Sequence, residues 1–366
     1  MLKAIISGGG TGGHIFPALA IADKIKEKYP NAEIIFVGAK GKMEMEKVPA
    51  AGYKIIGLEI AGFQRNSMLK NLFLPFKIIK SILTSISIIN NYKPSFVVGV
   101  GGYASGPLLF AAQLKGIPTF IQEQNSFPGI TNKLLSKRVK KICVAYPNLD
   151  KFFPASKIVI TGNPIRKDIL NLKSKTERAV SHFNLNPNLF TVFITGGSLG
   201  ARNINLAVKN NIQALSKMPI EIIWQTGKLF FEEAKETVLK NEVKNIFVYE
   251  FVKEMDLAYS AAKLVISRAG AGAISELSVA NKCCVLVPLP TAAEDHQTQN
   301  AKSLSNKNAA ILISNDNILT EITTVIQKLM NDTHLVLEME KNIAEFAKPN
   351  AAQEIVNVIT NELKIG

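Results

Sequence analysis

The chain has 366 residues, 47% of them hydrophobic and 20% charged, and a formal charge of +14. Its length exceeds what one hydrophobic core usually holds, so two domains are expected, and its composition excludes a disordered chain. Three cysteines without metal-ligand spacing exclude a disulfide scaffold and predict a reducing compartment, while the basic excess attracts phosphate from nucleic acid, a membrane or a substrate.

Short apolar runs alternate with helical patterns along the first half of the chain. Strands are predicted at Lys3–Ser7, Glu33–Val37, Lys54–Ile60, Phe96–Val100, Thr119–Gln122, Lys141–Ala145 and Ile158–Thr161. Helical patterns lie between them, at Ala18–Lys28, Leu69–Asn91 and Pro107–Leu114. This alternation is typical of βαβ units, so it predicts an α/β fold with a parallel sheet covered on both faces.

The alternation stops near Asn163-Pro164 and starts again at Leu189–Thr195, a strand that also ends in a glycine turn. Further strands are predicted at Ile220–Gln225, Ile246–Tyr249, Leu264–Ser267 and Cys283–Pro288. The sequence therefore predicts two doubly wound domains, residues 1–163 and 164–366. Packing of the last helix, about 351–363, back on the first domain stays open. Ligands of such sheets bind at the carboxyl ends of the strands, which predicts a cleft lined by both glycine loops.

The first glycine loop follows the first strand directly and reads Gly8-Gly9-Gly10-Thr11-Gly12-Gly13-His14. Glycines lack a Cβ, so the backbone can approach a bulky anionic or sugar ligand closely. The helix that begins behind the loop points unsatisfied N–H groups toward the same place. His14 stands at the edge of the loop, where it can accept a proton from a bound ligand.

Several other functions are disfavoured by the residues around this loop. The second strand ends Phe36-Val37-Gly38-Ala39 without the acid that holds the ribose of a dinucleotide, which disfavours NAD. His14 stands where a Walker loop has lysine, and the four histidines are scattered, so neither a Walker loop nor a metal site is predicted. Apolar sequence that leads straight into the first strand and its glycine loop begins at Leu2, which disfavours a signal peptide. Glycines and Pro107 interrupt the best uncharged stretch, which disfavours a membrane span.

Several segments, in order along almost the whole chain, resemble those of the MurG family of glycosyltransferases. They are Gly9–His14, Gly101–Pro107, Glu123-Gln124-Asn125, Gly162–Arg166, Gly196–Ala201, Ser267–Gly272 leading to Glu276, and Asp295-His296-Gln297 leading to Asn300-Ala301. Each segment is weak evidence alone, and the ordered set is highly specific. Gln122 stands where the family often has histidine, and Leu199 where it often has glutamine.

The resemblance implies the GT-B fold, with two Rossmann-like domains facing across a cleft. It implies that the enzyme moves N-acetylglucosamine (GlcNAc) from UDP-GlcNAc to the 4-hydroxyl of the N-acetylmuramyl sugar in lipid I, making lipid II with inversion. The C-terminal domain would hold UDP-GlcNAc and the N-terminal domain the lipid acceptor. The donor contacts implied are Thr11, Gly12, Gly13, Asn125, Arg166, Ser198, Val252, Glu276 and Gln297. Gly102, Tyr103 and Ser105 belong to the acceptor side.

The implied reaction needs a general base, groups that stabilise the leaving diphosphate and groups that bind the nucleotide. His14 suits the base because histidine titrates near neutral pH, and Glu123 is the alternative if burial raises its pKa. Arg166 and the loop at Ser198 suit binding of the diphosphate. Glu276 suits binding of the ribose, and the backbone at Val252 suits binding of the uracil. Structural alternatives stay open for His14, Arg166 and Glu276. No cofactor and no metal are expected.

The segment from Met68 to Ile89 combines apolar residues on one helical face with flanking lysines. Such a helix suits the interface of an anionic bilayer, and core packing is the alternative. The resemblance implies a lipid acceptor, which favours a membrane surface around Leu72, Phe73, Phe76 and Lys77. The protein is then expected to be peripheral, on the cytoplasmic face of the plasma membrane.

Two rival functions remain at this point. Another GT-B enzyme, such as a UDP-sugar epimerase or a glycolipid synthase, would share the donor loop but not the acceptor-side segments. A nucleic-acid-binding protein would use the positive charge. However, the basic residues are spread rather than clustered, and Trp224, the one tryptophan, offers no stacking platform, so no nucleic acid is expected.

Overall fold

The computed structural model describes residues 1–60, 74–197, 199–292 and 295–365. These residues form two compact units, the first made of Met1–Ile165 with Asn350–Gly366 and the second of Arg166–Pro349. Ser198, Leu72 and Phe73, which the sequence analysis singled out, lie outside the described residues. Within the described ranges, no helix combines the length and the apolar character needed to cross a bilayer.

The boundary between the units lies between Ile165 and Arg166 rather than after residue 163. Asn163 stays with the first unit because its side chain bonds to Gln122 and to the Gln124 carbonyl. Arg166 belongs to the second unit, where its guanidinium pairs with Glu276. The local hydrogen bonds therefore account for the position of the boundary.

The first unit contains a seven-stranded parallel sheet in the order β3-β2-β1-β4-β5-β6-β7. Its strands are β1 (Lys3–Ser7), β2 (Glu33–Ala39), β3 (Lys54–Leu58), β4 (Phe96–Gly99), β5 (Thr119–Glu123), β6 (Lys141–Val144) and β7 (Ile158–Ile160). The strand order reverses between β1 and β4, which pair from Ala4 with Phe96 to Ser7 with Gly99. Both strands are buried on both faces, which explains their continuous apolar sequences.

Helices cover both faces of this sheet. They are α1 (Gly12–Lys28), α2 (Glu44–Ala50), α3 (Leu74–Tyr92), α4 (Ser105–Leu114), α5 (Ile130–Leu135) and α15 (Ala351–Leu363). The last helix packs on α1, and its Ile355, Val356 and Ile359 are part of the core that contains Ile6 and Ile21. The chain thus ends in the unit in which it begins.

The second unit contains a six-stranded parallel sheet in the order β10-β9-β8-β11-β12-β13. Its strands are β8 (Phe190–Thr195), β9 (Ile220–Gln225), β10 (Ile246–Tyr249), β11 (Leu264–Ser267), β12 (Cys283–Leu286) and β13 (Ile311–Leu312). Its helices are α6 (Thr176–Phe183), α7 (Arg202–Asn210), α8 (Ile212–Ser216), α9 (Phe231–Lys240), α10 (Met255–Ala261), α11 (Ala271–Ala280), α12 (His296–Ser305), α13 (Ile318–Asn331) and α14 (Thr333–Ala344). The prediction of two doubly wound parallel α/β sheets is confirmed, and among the strands in the described residues β13 is the one that was not predicted.

Candidate active site

Two glycine turns of the first unit meet at the point where the strand order reverses. One turn follows β1 and the other follows β4, and these strands are neighbours in the sheet. Gly102 has a φ of +82°, and a Cβ at this position would collide with the carbonyl of Gly9. The two turns therefore touch backbone to backbone, and they form the crevice in which α/β sheets of this order bind ligands.

His14 is half-buried at the start of α1, and its ring is fixed by the loop itself. Its Nδ1 lies 3.0 Å from the carbonyl oxygen of Gly9 and 3.4 Å from Thr11 Oγ1. Because a carbonyl oxygen only accepts, Nδ1 carries the hydrogen, and in the neutral ring the lone pair lies on Nε2. A Cβ at Gly101 would lie 3.0 Å from Nε2, so this nitrogen faces the second turn. The geometry suits a general base.

Glu44 is a residue of this site that the sequence analysis missed. It is the first residue of α2 and is completely buried. Its Oε2 accepts the N–H of Gly10 at 3.0 Å, and its Oε1 accepts the N–H of Ala39 at 3.0 Å. The carboxylate also lies so close to Gly9 that a Cβ there would collide with it. The sequence did offer one indication of Glu44, because it is an acidic residue close behind β2. The sequence analysis considered only an acid at the very end of that strand, where a dinucleotide-binding protein holds the ribose.

The acceptor-side residues of the sequence analysis lie beside this loop. A Cβ at Gly10 would lie 3.4 Å from the ring of Tyr103. Burial, together with the nearby Glu44 carboxylate, raises the pKa of Tyr103. Ser105 is fully buried, and its Oγ donates to the carbonyl of Gly102 at 2.8 Å. Tyr103 therefore borders the loop, whereas Ser105 holds the shape of the second turn.

Glu123 is buried at the end of β5, and its carboxylate organises the loop that follows. Its oxygens accept the N–H groups of Asn125 (3.0 Å) and Gly129 (3.2 Å) and the side-chain amide of Asn132 (2.8 Å). The side-chain amide of Asn125 donates to it as well, at 3.3 Å. Burial raises the pKa of Glu123, and these donors oppose that rise. A carboxylate engaged by four donors supports a structural role more than a role as base.

A buried amide network lies next to this strand end. Gln122 Nε2 donates to Asn163 Oδ1 at 2.9 Å, and Asn163 Nδ2 donates to the carbonyl of Gln124 at 3.0 Å. Gln124 Nε2 donates to the carbonyl of Val100 at 2.7 Å and contacts Gln122 Oε1. Gln122 therefore serves this corner of the fold as a hydrogen-bonding residue where the family often has histidine.

The second unit carries its own glycine loop after β8. Gly200 has a φ of +76°, and a Cβ there would collide with the carbonyl of Thr226. The buried Gln225 supports the loop, because its Nε2 donates to Thr195 Oγ1 at 2.9 Å and to the carbonyl of Gly197 at 3.0 Å. Gln225 was also missed from the sequence, where a polar residue at the end of an apolar strand was its signal.

Arg166 and Glu276, predicted as separate donor contacts, form one bidentate ion pair. Arg166 Nε donates to Glu276 Oε1 at 2.8 Å, and its second nitrogen, Nη2, donates to Oε2 at 3.0 Å. The hydroxyl of the buried Tyr259 also donates to Oε2, at 3.2 Å. Burial lowers the pKa of Arg166, but the Glu276 carboxylate outweighs burial and the pKa is raised. The arginine therefore stays charged, and the carboxylate is held in one orientation.

The remaining predicted donor residues lie at other strand ends of the same sheet. Val252 follows β10, and its N–H donates to Gln225 Oε1 at 2.9 Å. Gln297 lies in the first turn of α12, and its Oε1 accepts the N–H of Leu289 at 3.0 Å. These contacts bring Val252 to the second glycine loop, while Gln297 fixes the turn after β12. The structure thus places Thr11 at the N-cap of α1 and Gly12, Gly13 and His14 in its first turn, with Asn125 on the Glu123 loop.

Models of two protein domains match this chain. The N-terminal domain of glycosyltransferase family 28 matches residues 4–144, and the C-terminal domain of that family matches residues 191–355. A solved structure, MurG of Acinetobacter baumannii, is 32% identical and superimposes with a TM-score of 0.80 over 99% of this chain and 100% of that one. A UDP-GlcNAc 2-epimerase of Neisseria meningitidis, 14% identical with a TM-score of 0.68 over 99% of this chain and all of its own, shares the fold alone.

Curated relatives agree with the structural comparison. The chain is 49% identical to a protein of Flavobacterium psychrophilum over 98% of this chain and 96% of that one. It is 50% identical to one of Cytophaga hutchinsonii, with the same coverage. Both are named UDP-N-acetylglucosamine–N-acetylmuramyl-(pentapeptide) pyrophosphoryl-undecaprenol N-acetylglucosamine transferase. The chain therefore has the GT-B fold with two Rossmann-like domains, and it belongs to glycosyltransferase family 28 and, within it, to the MurG family.

Proposed function

We propose that this protein transfers GlcNAc from UDP-GlcNAc to the 4-hydroxyl of the N-acetylmuramyl sugar of lipid I, giving lipid II. The observation that carries the proposal is its 50% identity, over 98% of the chain, to a relative named for this reaction. The geometry of the first loop supports it, since His14 is held in the tautomer that a base requires.

The proposed chemical step is a single in-line displacement. The 4-hydroxyl oxygen forms a bond to the anomeric carbon of GlcNAc while the bond from that carbon to the diphosphate breaks. The hydroxyl proton goes to Nε2 of His14, and UDP leaves with the bonding electron pair. The attack from the opposite face converts the α-linked donor into a β-glycoside. Glu123 stays the alternative base, although its four hydrogen bonds favour His14.

On the donor side, the proposal assigns the nucleotide to the second unit. Arg166 would contact the diphosphate through guanidinium hydrogens that the Glu276 pair does not use, and Glu276 would accept from the ribose. Val252 would read the uracil through its carbonyl, or through its N–H once Gln225 releases it. Ser198, Gln297, the residues Thr11, Gly12 and Gly13 at the first glycine loop, and Asn125 on the Glu123 loop would complete the donor site. With Arg166 and loop N–H groups facing the diphosphate, turnover is expected to persist in EDTA.

On the acceptor side, the first part of helix α3 in the first unit buries serines and exposes apolar residues, whereas its last turns bury Ile88 and Ile89 in the core. Its buried face contains Ser81 and Ser85, whose hydroxyls bond to the backbone carbonyls of Glu59 and Ser81. Phe76, Ile79 and Leu83 are 71%, 57% and 62% exposed, at spacings that share one helical face. This arrangement favours a membrane surface over core packing.

Neighbouring residues extend this apolar face. Leu114 on α4 is 54% exposed, Leu134 on α5 is 77% exposed, and α4 packs against both α3 and α5. Lys77 flanks it on α3, which suits anionic headgroups, whereas Lys80 on the same helix is paired with Glu59 at 2.6 Å. We therefore place the protein at the membrane as a peripheral enzyme, on the cytoplasmic face, with the predicted Leu72 and Phe73 as further members of this surface.

Identifying the product formed on the lipid acceptor tests this function. Purified protein is incubated in EDTA with labelled UDP-GlcNAc and a lipid I analogue, and the lipid fraction is analysed by mass spectrometry and by cleavage with a β-specific hexosaminidase. We expect one added, β-linked GlcNAc. Label released as free sugar or as an epimerised nucleotide sugar, with the lipid unchanged, would contradict the proposal and favour another UDP-sugar enzyme.

A further inference from the structure

One peptide group of the first glycine loop is hydrogen-bonded at both ends to functional side chains. The carbonyl of Gly9 accepts from His14 Nδ1 at 3.0 Å. The N–H of Gly10, the other end of the same peptide group, donates to Glu44 Oε2 at 3.0 Å. A carboxylate, a peptide group and an imidazole therefore form one continuous hydrogen-bonded chain.

The side chain of Glu44 is held in one position within this series of hydrogen bonds. Its side chain has no exposed surface, and its second oxygen is bonded to the N–H of Ala39 at the end of β2. A Cβ at Gly9 would collide with the Glu44 carboxylate, and a Cβ at Gly38 would collide with the Cγ of the same side chain. The carboxylate is thus fixed between the loop after β1 and the end of β2.

We propose that Glu44 is the positioning residue of the catalytic base and acts on His14 through the Gly9–Gly10 peptide group. This inference rests on the proposed function. Bonding to a carboxylate polarises the peptide group and makes the Gly9 carbonyl a stronger acceptor. The stronger acceptor holds the hydrogen on Nδ1 and keeps the lone pair on Nε2. When Nε2 takes the hydroxyl proton, the negative charge of Glu44 stabilises the imidazolium, and the proton stays on His14 until it is released to solvent.

Other ionisable groups around the loop are few among the described residues. Tyr103 lies over Gly10, and its raised pKa keeps it neutral in the range where histidine titrates. Lys40, beside the end of β2, is paired with Glu59 at 3.0 Å. Glu123 directs its carboxylate to the 125–132 loop. Glu44 is therefore the carboxylate that bears on His14 through hydrogen bonds.

The test compares Glu44→Gln with Glu46→Gln, which removes an exposed carboxylate from the same helix. Rates of GlcNAc transfer are measured across the pH range in which histidine titrates. We expect Glu44→Gln to lower kcat about 10- to 100-fold, with a much smaller change in KM for UDP-GlcNAc, and to move the acidic limb of the profile to lower pH. Glu46→Gln should match the wild type.

A double-mutant cycle separates this role from a purely structural one. In the His14→Ala background, Glu44→Gln should lower kcat less than about 2-fold, because the base through which it acts is gone. Glu44→Asp, which keeps the charge, should keep the acidic limb in place even if it lowers stability. A Glu44→Gln profile like that of the wild type, or an equal loss in both backgrounds, would overturn the inference. Absence of transfer by the wild type and by Glu46→Gln would instead overturn the proposed function itself.

Discussion

Each unit carries a glycine loop after the first strand of its sheet, but side chains of different charge support the two loops. Behind the first loop, the Glu44 carboxylate accepts the N–H groups of Gly10 and Ala39. Behind the second, the neutral amide of Gln225 donates to Thr195 and Gly197 and accepts from Val252. Similar backbone turns are thus held in place by a negative charge in one unit and by a neutral group in the other.

This difference matches the ligands proposed for the two loops. A buried carboxylate disfavours a second anion nearby, but it favours a histidine that gains positive charge during proton transfer. A neutral amide leaves the positive end of the helix dipole of α7 without a competing charge, which suits a diphosphate. The charge behind a glycine loop, rather than the glycines alone, therefore indicates which ligand the loop accepts.

The largest predicted change in ligand binding comes from giving the second loop a charge like that of the first. Gln225→Glu should weaken UDP binding about 10- to 100-fold, because the new carboxylate repels the diphosphate and cannot donate the hydrogen bonds that Gln225 makes to Thr195 and Gly197. Calorimetric titration with UDP and with uridine measures the effect, and uridine should lose far less. The control is Gln213→Glu, an exposed glutamine of the same unit. Equal losses for UDP and uridine would show that the charge is not the cause.

A smaller effect should follow from separating the Arg166–Glu276 pair. Arg166→Met should weaken UDP binding about 10-fold and leave uridine binding nearly unchanged, whereas Glu276→Gln should weaken both. Arg178→Met, at an exposed arginine of the same unit, is the matched control. Calorimetry with the two ligands resolves the roles. If Arg166→Met weakens uridine as much as UDP, the arginine only positions Glu276 and does not contact phosphate.

The smallest effect should separate the lipid role proposed for the first unit from the nucleotide role proposed for the second. Phe76→Ser in the first unit should lower binding to vesicles containing anionic lipid about 5- to 10-fold, because it removes an exposed apolar contact. Leu229→Ser, at a residue of the second unit that is 95% exposed, should leave vesicle binding unchanged. Co-sedimentation measures both variants. Equal losses would contradict a membrane surface confined to the first unit.

Local sequence patterns, read in order along the chain, allowed much of the fold to be predicted. The strand–glycine–helix pattern placed His14 at the crevice of the first sheet, and the alternation of strands and helices predicted both parallel sheets. The family segments identified Arg166 and Glu276, although their pairing across 110 positions of sequence could not be read from either segment. Long-range pairings depend on how the connecting helices pack, which the sequence pattern does not specify.

The residues that were missed share one physical cause. Glu44 bonds to a loop 34 positions away, and Gln225 bonds to Thr195, 30 positions away. Their partners are backbone groups or hydroxyls, which carry no distinguishing residue pattern. On α3, an apolar surface around Phe76 was predicted from the sequence, but the burial of Ser81 and Ser85, whose hydroxyls bond to backbone carbonyls, was not.

The most direct test of His14 as the base on the first loop is single-turnover transfer by the wild type and by His14→Ala. Both proteins are saturated with UDP-GlcNAc and a lipid I analogue, and the chemical step is followed by rapid quench. We predict that His14→Ala slows this step about 10²- to 10⁴-fold while the affinity for UDP-GlcNAc stays the same. Transfer by His14→Ala at the wild-type rate would contradict the account and direct the search for the base elsewhere, first to Glu123.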